Sequence, residues 1–515
     1  MPDVRARPFP HGAIATPHYL ATAAGLGVLT GGGNAVDAIV AANLVLGVVA
    51  PYRCGYGGDL FALVDDGDLV GYLGSGRSPA GTTAARIRAR HGDHMPFIGA
   101  DTVTVPGAPA GWFALLERWG TRSFGDLART AISYARDGFE ITHKGAREYV
   151  AARGLYAGSE PWLAAHRDVA AGSVVRQPEK ARTIEALAAD GPDAYYRGPI
   201  ADAIAAAVQE AGGELDVADL AAHRGEWTQP LRAVFRDVEI AELPPPTQGV
   251  SALEALRILD GCALPAGGAE REHLLVEVAK LALADRDAHV TDPAHMRVGV
   301  QAMLSDEWVD ARRDRLDPAR AVDPGVGRPQ RGGTAYLCAA DGDGLFVSLI
   351  QSNFLSFGSC VYVSEWGINL NNCGSSFSLD PYATNVFAPA KLPMHTLVPA
   401  MGLRDGRPVL VFGSMGGDAQ IQVHMQLLAH LLDGVEPGEA LAAPRWRVDP
   451  GTWRVHLESR FDASILAGLR ALGHDAREAP PWDDTMGHAH LVVTRDHGGY
   501  LAASDPRSEG LALGW

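Results

Sequence analysis

Cysteine is scarce. Five occur, Cys54, Cys262, Cys338, Cys360 and Cys373, and no two form a CxxC pair. An odd, widely spaced set suits reduced thiols and argues against a disulfide framework or a zinc site, so no metal is implied. Dense Lys/Arg runs are missing too, and with a formal charge of -17 the chain is a poor partner for nucleic acid or an anionic membrane surface. The longest apolar run, Ile39 to Ala50, is interrupted by Asn43 and falls short of the roughly 20 residues a spanning helix needs. The opening MPDVRARPFPHGAIATPHYLATAAG offers no unbroken apolar stretch of signal-peptide type, so a cytoplasmic protein is expected. No low-complexity tract argues for large-scale disorder, and no internal repeat stands out.

What remains is an ordinary globular composition, 47% hydrophobic and 20% charged. At 515 residues the chain either splits into domains or packs as one large body. The glycines of GLGVLTGGGN neither follow a clear strand nor spell GxGxxG, so they read as helix-entry packing and no nucleotide or other cofactor is inferred. His488 and His490 alternate onto one side of a predicted strand, but without a third ligand nearby they read as polar strand residues.

Along the chain, TGGGNAVDAIVAANLVLGVVAP reads as a glycine-rich entry into a helix ending near Pro51, and DLFALVDDGDLVGYL as a hairpin. From about Pro106 to Leu243 the periodicity is mostly helical, and a further amphipathic helix is expected to begin at His273. The Pro-, Gly- and Arg-rich stretch ARRDRLDPARAVDPGVGRPQRGG, up to Gly333, reads as a long exposed loop. After it, TAYLCAA, LFVSLIQS, SCVYVSEWGINL, PVLVFGS, RVHLES and HAHLVVT are strand-like. An α/β or α+β body follows, β-rich in its last third.

The chemistry concentrates where loop meets strand. The turn DGDG, Asp341 to Gly344, predicts an antiparallel hairpin. A Gly342–Asp343 loop sets Thr334 opposite Gln351, and a one-residue shift sets it opposite Asn353, so Gln351, Ser352 and Asn353 are its expected polar neighbours. Such a hydroxyl pair either merely ends a hairpin or orients a nucleophile. A threonine directly behind Gly-Gly and a long loop favours the second: its Oγ can attack the Gly333 carbonyl, and glycine there permits backbone geometries a Cβ would obstruct. Cleavage would leave Thr334 with an α-amino group of pKa about 7.7–8.0, near enough to neutrality to serve as its own general base. Gly416 and Gly417 in FGSMGGDAQ read equally as an oxyanion hole or a tight turn.

At these residues the chain resembles the γ-glutamyltranspeptidase family of N-terminal nucleophile hydrolases. The resemblance is carried in order by GGNAVDAIVAANLVLGVVAP, GYGGDLFALV, VPGAPAGW, PPPTQGVSALEALRIL, ADRDAHVTDP, TAYLCAADGDG, LNNCGSSFSLDP, GSMGGD and SDPRSEG. SLIQSNFLSFGS with KLPMHTLVPAM is most similar to the shorter bacterial branch that includes γ-glutamyltransferase-like proteins and some cephalosporin acylases. The resemblance implies a four-layer αββα sandwich and self-cleavage between Gly333 and Thr334. It also implies a large subunit, 1–333, and a small subunit, 334–515, that stay associated as one body, with further assembly left open.

Carried over by residue, the resemblance makes Thr334 the nucleophile, Ser352 its assisting hydroxyl, and Gly416 and Gly417 the oxyanion pair. In the substrate clamp it departs from the family. Phe354 stands for an asparagine, Cys373 and Ser376 for a glutamine and an aspartate that hold the glutamyl α-amino group, and His395 and Thr396 for a serine pair. Ser75 stands for the arginine that meets the α-carboxylate, with Arg77 two residues on. Losing charge-assisted contacts costs roughly 1.5–3 kcal/mol each. An acyl-amide hydrolase or acyltransferase is therefore expected, acting on γ-glutamyl or related groups. The alternatives are an acylase for a glutaryl or β-lactam side chain, a relative cleaving a C–C bond beside a carbonyl in secondary-metabolite (antibiotic) biosynthesis, and an unprocessed, non-catalytic binding protein.

Overall fold

The computed structural model describes residues 4–330 and 332–515. The first three residues of the opening segment, and Arg331 in the loop before Thr334, lie outside the described residues.

Two seven-stranded sheets form the centre. The first runs Leu511–Gly514, Ala13–Thr16, Gly333–Ala340, Phe346–Phe354, Asp59–Asp65, Leu69–Gly74, Glu226–Thr228, every neighbouring pair antiparallel. The second runs Arg7–Phe9, Tyr500–Ser504, His488–Thr494, Arg407–Met415, Pro399–Arg404, Val238–Glu242, Leu231–Phe235. Both sheets combine strands from before and after residue 333. A chain cut there would remain one interlocked body.

The period-2 pattern of the strands builds the layers. Along Gly333–Ala340, Ala335, Leu337 and Ala339 face the helices on one side, while Tyr336, Cys338 and Ala340 pack between the sheets with Phe61, Ile350, Met401 and Val411. Helix Ala35–Val49 covers the first sheet; it starts at a capping box of Asn34 and Asp37, and all its residues are buried, as its unbroken apolar run requires. Helices Gly249–Asp260, Gly268–His289 and Ala419–Leu432 cover the second sheet. The result is the expected αββα sandwich. Among the described residues no helix is long and apolar enough to cross a membrane.

Several local expectations shift. The region up to Leu243 is helical only to Ala222; Glu226–Thr228, Leu231–Phe235 and Val238–Glu242 are strands, because their short runs are filled by sheet pairing that helical periodicity does not report. The helix expected from His273 begins at Gly268. SCVYVSEWGINL yields only the two-residue strands Tyr362–Val363 and Ile368–Asn369.

The nucleophile hairpin also pairs in a different register. Its turn spans Asp341–Leu345, so Ala340 faces Phe346 and Ala335 faces Gln351. The cause is Asp341, whose Oδ1 accepts from the Asp343 and Leu345 N–H groups at 3.0 and 3.1 Å, enlarging the turn beyond the Gly342–Asp343 pair. A bulge then intervenes: Gly333 faces Phe354, leaving Thr334 against both Ser352 and Asn353.

Candidate active site

Thr334 is 1% exposed in the uncut chain. Of its three expected neighbours, Gln351 turns to the helix face and accepts from Asn43 Nδ2 at 3.0 Å, and Asn353 Nδ2 donates to the Pro51 carbonyl at 3.3 Å. Ser352 alone reaches the threonine. Thr334 Oγ1 donates to Ser352 Oγ at 3.4 Å, and Ser352 Oγ donates to the Gly333 carbonyl oxygen at 2.5 Å. The Phe354 N–H donates to Ser352 Oγ at 2.7 Å. A serine hydroxyl has one proton and two lone pairs, and these three bonds use all of them. The geometry has a backbone cost, since buried Phe354 sits at φ 76, a conformation that a bulky side chain adopts only under constraint.

Glycine at 333 is required by space. A Cβ there would lie 2.9 Å from Tyr52 O and 3.0 Å from Ser356 N, and one at Gly332 would lie 3.0 Å from Phe354 O. The expectation of special backbone freedom at 333 gives way to one of close approach. Gly416 and Gly417 follow strand Arg407–Met415 with φ of 130 and 60. The Gly417 backbone lies beside Gly332, its Cα and N at 3.7 and 3.8 Å from where a Gly332 Cβ would sit. A cavity of about 660 Å³ opens here, lined by Gly332, Gly333, Ser356, Gly416 and Asp418 together with Arg53 and Arg447.

The remaining predicted residues divide among other places. Ser75 and Arg77 line a separate cavity of about 850 Å³ with Pro244–Pro246. The Arg77 guanidinium is half exposed and pairs with Asp292 at 3.1 Å and the Ala390 carbonyl at 3.0 Å, so it does not line the cavity at Gly333. Ser376 lines a third cavity with Pro329 and Gln330, and its buried Oγ has no hydrogen-bond partner. Thr396 is buried and its carbonyl accepts from Gln248 Nε2 at 2.7 Å.

Cys373 and His395 meet, with a residue that sequence reasoning missed. Asp59, opposite Ser352 in the neighbouring strand, accepts from the Cys373 thiol at 3.3 Å and lies 3.2 Å from His395 Nε2. Sulfur and Nε2 are 3.4 Å apart, and the His395 ring lies 4.8 Å from the Phe61 ring and 6.2 Å from that of Phe354. Burial first, then the Asp59 carboxylate, pushes the Cys373 thiol well above its usual range. It is a protonated donor, not a thiolate nucleophile.

Asp59, Cys373 and His395 form one of two sets among the described residues whose donor types suit a metal; the other is His273, Glu277 and His474. In the second, the Lys280 ammonium lies 2.7 Å from Glu277, which opposes a cation. His488 and His490 do not converge on a ligand set: His488 Nε2 lies 2.8 Å from Asp484 and His490 Nδ1 3.0 Å from Ser504 Oγ. Burial lowers both imidazoles, to about 4 and about 3. All five cysteines are free thiols.

A second missed group stands beside the glycine pair. Asp418 is buried against Arg286, which is fully buried and also lies 2.8 Å from Asp287. Both aspartates accept backbone N–H groups of the loop that ends at Gly333, Gln330 to Asp418 and Arg328 to Asp287, each at 2.5 Å. The only sequence hint was a carboxylate placed directly after Gly-Gly.

The family model for gamma-glutamyltranspeptidase matches residues 21–515. The chain is 39% identical to the oxamate amidohydrolase proenzyme of Klebsiella pneumoniae, covering 98% of both chains. It is 34% identical to the glutathione hydrolase-like YwrD proenzyme of Bacillus subtilis, covering 97% of this chain and 98% of that one. The crystal structure of a cephalosporin acylase from Bacillus halodurans superposes with a TM-score of 0.94 at 35% identity, over 99% of this chain and 97% of that chain.

Proposed function

The chain belongs to the gamma-glutamyltranspeptidase family, and on that premise we propose that it is an autoprocessed amide hydrolase or acyltransferase whose nucleophile is Thr334. The observation that carries this reading is the position of Ser352 between the Thr334 hydroxyl and the Gly333 carbonyl oxygen.

In the precursor, Thr334 Oγ1 attacks the Gly333 carbonyl carbon. Its proton passes to Ser352 Oγ while the Ser352 proton passes to the carbonyl oxygen, so the tetrahedral adduct forms without net charge. As the C–N bond breaks, the adduct's hydroxyl proton passes to the leaving Thr334 nitrogen, which completes the shift of the acyl group from nitrogen to oxygen; water then adds to the ester carbonyl, releasing the large subunit as a carboxylic acid and restoring the Thr334 hydroxyl. The new α-amino group then serves Thr334 as general base. An acyl amide entering the cavity at Gly416 is attacked in turn, with the Gly416 and Gly417 N–H groups at the developing oxyanion. Ser352, freed from the Gly333 carbonyl, orients the nucleophile.

The acyl group is of the γ-glutamyl or a related class. A second reading, an acylase for a side chain lacking the α-amino group, is supported by the residues at the family clamp positions: buried, apolar Phe354 and a thiol at Cys373 already bound to Asp59. The test is intact-mass analysis, followed by soaking the mature protein with γ-glutamyl, glutaryl and other acyl amides. Wild type should give two fragments split before Thr334 and an acyl adduct on Thr334, while Thr334→Ala stays one inactive chain. A wild-type protein that remains uncut would overturn the proposal.

A further inference from the structure

Among its described residues, the segment leading to the Gly333–Thr334 bond has no helix or strand after helix Asp306–Arg313, yet the stretch from Arg328 to Gln330 is held by backbone contacts on both sides. Gln330 N–H donates to Asp418 Oδ2 at 2.5 Å, and Asp418 N–H donates back to the Gln330 carbonyl at 3.2 Å. Two residues earlier the pattern repeats: Arg328 N–H donates to Asp287 Oδ2 at 2.5 Å and Arg286 Nη2 donates to the Arg328 carbonyl at 3.2 Å. Arg286 joins the two aspartates and also donates to Gln248 Oε1 at 2.9 Å. Gln248 Nε2 in turn donates to the Gly417 carbonyl at 3.3 Å. Loop and glycine pair thus hang from one buried scaffold.

We propose that Asp418, with Arg286 and Asp287, is the positioning clamp for self-cleavage, gripping the loop by its peptide groups so that the Gly333 carbonyl is presented to Thr334. This rests on the reading that the Gly333–Thr334 bond is the one cut. Two carboxylates share one guanidinium in a buried site, an arrangement that is costly unless further donors satisfy the oxygens. The loop's own N–H groups supply them, so clamp and loop complete one another. Fixing a flexible segment costs backbone entropy. Holding the carbonyl in line before reaction removes that cost from the barrier. Neither partner needs a particular side chain at position 330. The grip is on the backbone, which gives the proposal a test that side-chain packing does not share.

The test is a pulse-chase of the full chain made by cell-free translation, with cleavage followed by gel and the cut site by intact mass. Asp418→Asn should slow cleavage about ten- to a hundredfold, the equivalent of one charge-assisted hydrogen bond. Gln330→Pro, which removes the N–H and also fixes φ, should slow it similarly, while Gln330→Ala, which keeps the N–H, should cleave at the wild-type rate. In the double variant Gln330→Pro should cost less than about twofold beyond Asp418→Asn, because the bond is already lost. Wild-type rates for Gln330→Pro, slowing by Gln330→Ala, or effects that multiply in the double variant would each overturn the clamp. Should Asp418→Asn not fold, the two Gln330 variants decide alone. A wild-type chain cut elsewhere would instead refute the cleavage reading itself.

Discussion

The Ser352 hydroxyl donates to the Gly333 carbonyl oxygen at 2.5 Å across the bulge that sets Gly333 opposite Phe354. The bond makes the carbonyl carbon more electrophilic before any attack, and Ser352 Oγ itself accepts from Thr334 Oγ1. Ser352→Ala should slow self-cleavage by about 10²–10³, the usual cost of losing the group that carries the proton to the carbonyl oxygen. Ser352→Thr should keep most of the rate. Accumulation of full-length chain, read by mass spectrometry over time, checks both. Equal rates for wild type and Ser352→Ala would remove Ser352 from the mechanism.

Gly416 and Gly417 are not equivalent. The φ of 60 at Gly417 lies in the left-handed helical region that other residues visit at modest cost, whereas the φ of 130 at Gly416 is a conformation L side chains rarely adopt. A Cβ at 416 would also lie 3.1 Å from the Gly487 Cα. Gly416→Ala should lower stability by roughly 1–3 kcal/mol and lower kcat of the processed enzyme, with Gly417→Ala milder in both. Urea midpoints and steady-state kinetics on an acyl anilide separate the two effects.

The contrast between Thr334 and Asp418 explains what the sequence revealed. Thr334, Ser352 and the glycine pair were legible because hairpin pairing and the spacing of motifs place them, and the four layers followed from the resemblance. The register was not, because the carboxylate of Asp341 reshapes the turn through its own backbone bonds. Ser75 and Arg77 line one cavity, where Asp292 holds the guanidinium, apart from the cavity at Gly333. Asp59 meets Cys373 and His395, and Asp418 meets Arg286 and Gln330, partners so distant in sequence that no local pattern marks either carboxylate.

Asp418 should tie stability to pH in a direction opposite to that of a typical paired aspartate. Burial pushes its carboxyl up to about 6, with Arg286 only partly offsetting it, whereas the unfolded chain titrates near 3.9. The folded state therefore binds the proton more tightly, and stability from this group is present below about pH 4 and lost as pH rises through about 6. In the uncut Thr334→Ala chain, the urea stability of the parent relative to its Asp418→Asn derivative should fall between pH 4 and 7. A flat difference would place the Asp418 pKa in the ordinary range.

Position 376 tests how the acyl group is chosen. γ-Glutamyl and glutaryl groups differ only by the α-amino substituent, so the ratio of kcat/KM for their anilides reports on contacts to that ammonium and cancels general damage to the enzyme. The Ser376 hydroxyl is buried without a hydrogen-bond partner, and its cavity holds Pro329 and Gln330 of the loop that cleavage would cut free. Ser376→Asp should shift the ratio toward γ-glutamyl by about ten- to a hundredfold, the worth of one charge-assisted contact of roughly 1.5–3 kcal/mol. The substituted protein should also be less stable, because a carboxylate would be buried where a neutral hydroxyl now sits. Adding Phe354→Asn should increase the shift further by replacing an apolar ring with a donor at the second family position. An unchanged ratio in both variants would mean that this site reads the acyl chain from other walls, and would favour the acylase reading over the γ-glutamyl one.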